Sequence, residues 1–161
     1  MLEASYILFL LPPHYRNYNK RLIKSPKLYF YDTGLACLLA DIQQAKQLLA
    51  HPMRGALFET FVVSELIKNR FNQGLLSNLY YWRDSQGHEV DIVIETGNNL
   101  VPVEIKAGQT ITTDYFSGIQ YWQTLTNEKK SAWLVYAGNQ SQQRENIQVL
   151  SWQEIDKIIV D

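Results

Sequence analysis

The chain has 161 residues, 46% hydrophobic and 12% aromatic, enough for a well-filled core and too apolar for a disordered polypeptide. Its net charge of −1 and isoelectric point near 6.3 exclude a globally basic footprint, so a nucleic-acid role would have to rest on a local patch. The single cysteine, Cys37, excludes an internal disulfide and fits a reducing compartment.

Met1–Leu11 lacks the basic stretch of a secretory signal, and the apolar run Tyr6–Leu11 is too short to span a bilayer. A cytoplasmic, non-membrane protein is therefore expected. Leu2–Leu11 fits either a short helix or a strand, stopped by Pro12-Pro13. His14 to Lys27 then carries the one basic cluster, with Arg16, Lys20, Arg21, Lys24 and Lys27 near Tyr15 and Tyr18. One reading is a solvated linker. The other is contact with a DNA backbone, since lysine and arginine neutralising phosphates supply most nonspecific affinity. Lys27–Tyr31 reads as a strand, and Asp32 as the cap of a short helix through Ala40. Residues 1–52 are thus expected to form a mainly helical extension ahead of a domain at 53–161, with Cys37 buried.

Met53 to Phe71 carries the strongest helical pattern. Thr60, Ser64 and Lys68 recur at helical spacing as a polar stripe. Glu59 falls outside it, with Val62, Val63 and Leu66 as its neighbours at i+3, i+4 and i+7. A carboxylate aimed into an apolar face needs a partner. Glu65 lies nearer the edge of the stripe. Asn78–Arg83 is the next strand, followed by an Asp84-Ser85-Gln86-Gly87 hairpin turn.

Gly87–Gly108 reads as two strands joined at Thr96-Gly97-Asn98-Asn99. Val90, Ile92 and Ile94 alternate with Asp91, Val93 and Glu95, and Val103 and Ile105 alternate with Glu104 and Lys106. The period of two sends Glu104 and Lys106 to one face, and the antiparallel turn can bring Asp91 beside them. Two acids and a lysine on central strands are costly to bury without a use, and the pattern points to a divalent-metal site for phosphodiester chemistry. Thr112, Thr113 or Asp114 can cap a helix running to about Leu125. Ser131–Ala137 and Ile147–Leu150 read as buried strands, and Ser151–Ile159 as a last helix with Ser151 and Glu154 forming a capping box. The expected architecture is α/β: a three-layer sandwich on a mixed sheet with an αβββαβ core.

That order, with Glu59 on the first helix, Asp91 on the second strand and Glu104-Ile105-Lys106 on the third, resembles the PD-(D/E)XK nuclease superfamily, whose members include restriction endonucleases and Holliday-junction resolvases. GALFETFVVSEL, YYWRDSQGHEVDIVIE and PVEIKAG, with KSPKLYFYDTGL upstream, are similar to the nuclease-like domain found at the C-terminus of many bacterial and archaeal AAA+ ATPases. The resemblance implies Mg²⁺ or Mn²⁺ held by Asp91, Glu104 and the Ile105 carbonyl, with Glu59 supporting the metal or a water and Lys106 positioning the attacking water. It makes Gln120 and Tyr121 on the crossover helix secondary candidates; Arg83 is another, as a phosphate contact at the rim. It also implies DNA as a partner, with an AAA+ ATPase domain in cis or in trans. Two features depart from the pattern: Val90 stands where the superfamily's proline would precede Asp91, and no G-x-x-x-x-G-K-[ST] loop occurs in the chain, so this segment itself would not be the ATPase. A non-catalytic DNA- or protein-interaction module of the same fold is the alternative.

Overall fold

Short β-branched and aromatic runs separated by one long helix and one crossover helix set the architecture seen in the computed structural model, which describes residues 1–16, 18–127 and 129–158. In chain order the elements are β1 (Leu8–Leu11), β2 (Lys27–Phe30), α1 (Thr33–Leu39), α2 (Ala45–Ala50), α3 (Arg54–Asn72), β3 (Leu79–Arg83), β4 (Glu89–Thr96), β5 (Asn99–Lys106), α4 (Ser117–Thr126), β6 (Ala132–Tyr136), β7 (Gln142–Arg144) and β8 (Ile147–Ser151). A six-stranded mixed sheet has the order β3-β4-β5-β6-β8-β7. β3, β4 and β5 form an antiparallel meander, β6 and β8 run parallel to β5, and β7 is an antiparallel edge strand.

Alternation along the strands covers both sheet faces. Val103, Ile105, Val135 and Leu150 pack with Val62, Val63, Leu66 and Ile67 of α3. Their sequence neighbours Leu134, Tyr136 and Val149 pack with Phe116 and Ile119 on the other side. α3 and α4 therefore lie on opposite faces of an α/β layered structure. The Arg54 guanidinium donates to Ala107 O at 2.7 Å, fixing the start of α3 over the end of β5.

Several expectations are corrected. The polar stripe of α3 is not its outer face: Thr60 and Ser64 are buried. Their hydroxyls donate back to Ala56 O at 2.8 Å and Phe61 O at 2.9 Å, which satisfies them without solvent. The crossover begins with a 3-10 turn at Thr113–Phe116, and Thr112 makes no side-chain cap. The last segment is a 3-10 turn, Trp152–Lys157. Ser151 accepts from Gln153 N there, but Glu154 pairs with Ser141 and Lys157, so no capping box forms. Ile159 lies outside the described residues. β7, an exposed polar strand, carries no hydrophobic pattern that would have marked it.

The first 52 residues are not mainly helical either. β1 and β2 form an antiparallel two-stranded sheet, followed by the short α1 and α2. Phe9, Leu11 and Tyr29 belong to the same core as α3. Asp32 does cap α1, accepting from Gly34 N at 2.7 Å, while Cys37 is only half-buried. Nor is the basic stretch a free linker. His14 N and Ile23 N donate to Tyr81 O and Arg83 O, and Tyr81 N donates to Pro12 O, so this stretch covers the exposed edge of β3. Its side chains remain available, with Arg16, Arg21 and Lys24 exposed and Lys20 half-buried.

The β3–β4 turn is built on Asp84, which is 1% exposed. Its carboxylate accepts from Gln86 N, His88 N and the Tyr121 hydroxyl and meets His88 Nδ1 at 3.0 Å. Burial alone would raise its pKa, but bonds from His88, Gln86 and Tyr121 outweigh burial and hold it below the usual value. A depressed folded pKa stabilises above the unfolded value of about 4 and is lost as pH falls through the folded one. Asp84→Asn should therefore cost about 1–3 kcal/mol at pH 7 in urea unfolding, with the difference from wild type shrinking below about pH 4.

Candidate functional site

β4 does not keep a simple period of two. Tyr80 pairs with Val93 but Trp82 pairs with Val90, so a two-residue step on β3 faces a three-residue step on β4. This β-bulge puts Asp91 and Ile92 opposite Tyr81 and lets Val90 and Val93 share a cluster with Trp82 and Trp122, while Ile92 and Ile94 face α3. The β4–β5 ladder runs from Thr96↔Asn99 to Ile92↔Val103 and stops short of Asp91 and Glu104. Beyond that point β4 stays with β3 and β5 stays with β6, through Arg83↔Glu89 and Lys106↔Tyr136. The two central strands thus part where one neighbour of β5 is antiparallel and the other parallel. Asp91 Oδ2 bridges the gap by accepting from Ile105 N at 2.8 Å.

Charged side chains gather at this gap. Glu59 from α3, with Glu89 and Asp91 from β4, each offer an oxygen, and these oxygens all lie within 4.8 Å of one another. Glu104 is not in that trio. It projects from the other face of β5 toward α4, where a Cβ at Gly118 would run into its Oε2 and lie 3.1 Å from Glu89 O. Glu104 is 5% exposed, and its Oε2 is buried without a hydrogen-bond partner. Its Oε1 takes the Lys106 ammonium.

The electrostatics follow from this crowding. Burial, then the charges of Glu104 and Glu59, push the Asp91 carboxyl well above the usual range. Burial also raises Glu104, against the pull of Lys106. For Lys106, burial opposes the charge, but Glu104 and Asp91 outweigh it and its pKa is raised. Lys27 behaves likewise: burial lowers its pKa, Glu59 and Glu89 outweigh that, and the ammonium is held more firmly than usual. Lys27 sits 2.9 Å from Glu59 Oε1 and also pairs with Glu89. The Tyr29 hydroxyl donates to the same Glu59 oxygen. Burial first, and then Glu59, Asp91 and Glu89, raise the Tyr29 pKa.

The expected residues divide accordingly. Glu59 and Asp91 meet, Glu104 and Lys106 pair beside them, and Ile105 donates its N–H to Asp91. Arg83 is exposed at the rim, with Nε 3.5 Å from Glu89 Oε2. Gln120 is exposed on α4. Tyr121 turns instead to the hairpin, bonding Asp84 and stacking on the His88 ring at 3.9 Å. Glu89 and Tyr29 carry no role in the sequence reading, and Lys27 figures there only as a member of the basic cluster. The signal for Glu89 was its place two residues before Asp91, on the same strand face. Lys27 and Tyr29 share a face in the same way, but nothing local brings β2 to α3.

Comparisons with known proteins give a family and no activity. The model of a domain of unknown function (DUF4143) matches residues 54–155. A second domain of unknown function (DUF8612) matches residues 1–46. Uncharacterized proteins of Mycobacterium bovis and Mycobacterium tuberculosis are each 37% identical over 111 residues, covering 68% of this chain and 24% of theirs. The chain thus spans about a quarter of the length of the curated relatives it matches. No solved structure matches. Among the described residues, no helix is long and apolar enough to cross a membrane.

Gly118 tests the packing at the site. In an ordinary helix Gly→Ala gains up to about 1 kcal/mol. Here the new Cβ meets Glu104 Oε2, so Gly118→Ala should lose about 1–3 kcal/mol in urea unfolding. Combining it with Glu104→Ala should return at least about 1 kcal/mol as coupling.

Proposed function

The chain belongs to the DUF4143 family, and we propose that it is a Mg²⁺- or Mn²⁺-dependent nuclease-type domain that acts on or binds DNA. The observation that carries the reading is the gathering of Glu59, Glu89 and Asp91 within one ligand's reach, beside a buried, unpartnered Glu104 oxygen and a lysine, where β4 leaves β5. The donor set fits the ion. Mg²⁺ prefers oxygen ligands, takes one or two carboxylates and keeps several waters. A dication would also relieve the like-charge crowding that raises Asp91.

On this reading Asp91, Glu104 and the Ile105 carbonyl would hold the ion. Glu59 orders a water or supports the metal, and Glu89 serves beside it. When bound, the ion polarises a phosphoryl oxygen and lowers the pKa of a bound water. Lys106 stays protonated between Glu104 and Asp91, so it orients water and offsets phosphate charge rather than accepting a proton at rest. Arg83 lies at the rim, and Arg16, Lys20, Arg21 and Lys24 lie on the stretch that covers β3, where they offer contacts to a phosphate backbone. An AAA+ ATPase domain, in cis or in trans, is the proposed partner, in a cytoplasmic setting.

One observation favours the second reading, a non-catalytic interaction module. Lys27 already neutralises two of the acids, and such a site is compatible with binding alone. Incubation with single-stranded, duplex and branched DNA in Mn²⁺ separates the two. The nuclease reading expects cleavage that falls at least about 100-fold in Asp91→Ala and Lys106→Ala, the scale of losing a positioned catalytic group. Equal cleavage by wild type and variants, or none on any substrate, contradicts it.

A further inference from the structure

Lys27 and Tyr29 come from β2, outside residues 54–155, yet both bind the acids of the site. The Lys27 ammonium bridges Glu59 and Glu89, two of the three clustered carboxylates. Tyr29, two residues on and thus on the same strand face, donates to the Glu59 oxygen that Lys27 also holds. On the other flank Glu104 Oε2 is buried without a hydrogen-bond partner, while Oε1 takes the Lys106 ammonium. One ammonium holds Glu59 and Glu89, the other pairs with Glu104, and Asp91 accepts from Ile105 N.

We propose that Lys27 is an internal cation which a divalent ion must displace from Glu59 and Glu89, so that the β1–β2 hairpin sets the affinity of the site for metal. The inference rests on the reading above that the site takes a divalent ion. Two positive charges cannot share these oxygens: at ~4 Å they repel strongly wherever water is partly excluded. Displacement is also sterically open. Lysine is a compact charge on a flexible stem, and the Lys27 ammonium already lies 5.4 Å from the centre of the Tyr81 ring, a face that can receive it. The metal-free fold keeps Glu59 and Glu89 from repelling each other by means of a residue on a separate hairpin. Whatever moves that hairpin changes metal occupancy, and metal binding in turn releases the hairpin's grip on α3.

Calorimetric titration of the full chain with MnCl₂ tests this, using wild type, Lys27→Met, Lys27→Arg and Asp91→Asn. Lys27→Met should bind Mn²⁺ at least about tenfold tighter than wild type, Lys27→Arg no tighter, and Asp91→Asn should lose binding. If wild type binds and Lys27→Met binds equally or more weakly, the role of Lys27 is overturned and the metal site stands. If neither wild type nor Lys27→Met binds Mn²⁺, both fall together. A second measurement needs no variant. Acylation of Lys27 in the wild-type chain by an N-hydroxysuccinimide ester, read by mass spectrometry, should rise several-fold at saturating Mg²⁺. Unchanged or reduced labelling overturns the proposal.

Discussion

Four carboxylates crowded around a gap between two strands are the constraint on which the rest of the structure turns. Glu59, Glu89 and Asp91 lie within reach of a single ligand, and Glu104 is buried beside them. Among the described residues, the ammonium groups of Lys27 and Lys106 pair with them. Carboxylates so placed cannot all ionise unless cations compensate them, and burial sharpens the conflict. Burial first, and then the neighbouring carboxylates, raise Asp91 and Glu104. A fold keeps such a cluster only where its core is strong enough to hold it, and here α3 and the central strands form a continuous apolar layer behind it.

Backbone geometry makes the gathering possible. The bulge in β4 turns Asp91 to the α3 side together with Ile92, and the end of the β4–β5 ladder opens room for Asp91 to reach the Ile105 N–H. Gly118 lets α4 approach Glu104 where a larger residue would collide. The site therefore draws on α3, β2, both central strands and the start of α4. That is also why the N-terminal segment, though matched by a different family model, is part of the same core.

Much of this was legible in the residues, and the failures have physical causes. Apart from the exposed polar β7, the strands from Leu79 to Ser151 and the long helix announce themselves by periodicity and turns, and the hairpin glycine Gly87 takes φ 93° as its turn requires. Glu59 stood out as an acid on an apolar helix face, and Asp91, Glu104 and Lys106 as charges on strands too hydrophobic to be surface. Thr60 and Ser64 misled because hydroxyls bonded to their own helix can be buried. The N-terminal segment misled because its order comes from pairing with β3 and packing on α3, contacts that no local pattern encodes. Lys27 looked like one more surface cation for that reason. Glu89 was overlooked beside Asp91, although both lie on one strand face.

The account stands or falls on whether these oxygens form a divalent-ion site. Diffraction from crystals grown with Mn²⁺, recorded at the manganese absorption edge, tests it most directly. The account predicts an anomalous peak within coordination distance of Asp91, with the Lys27 ammonium moved away from Glu59 and Glu89. No peak, with Lys27 still bridging Glu59 and Glu89 in saturating Mn²⁺, would contradict it.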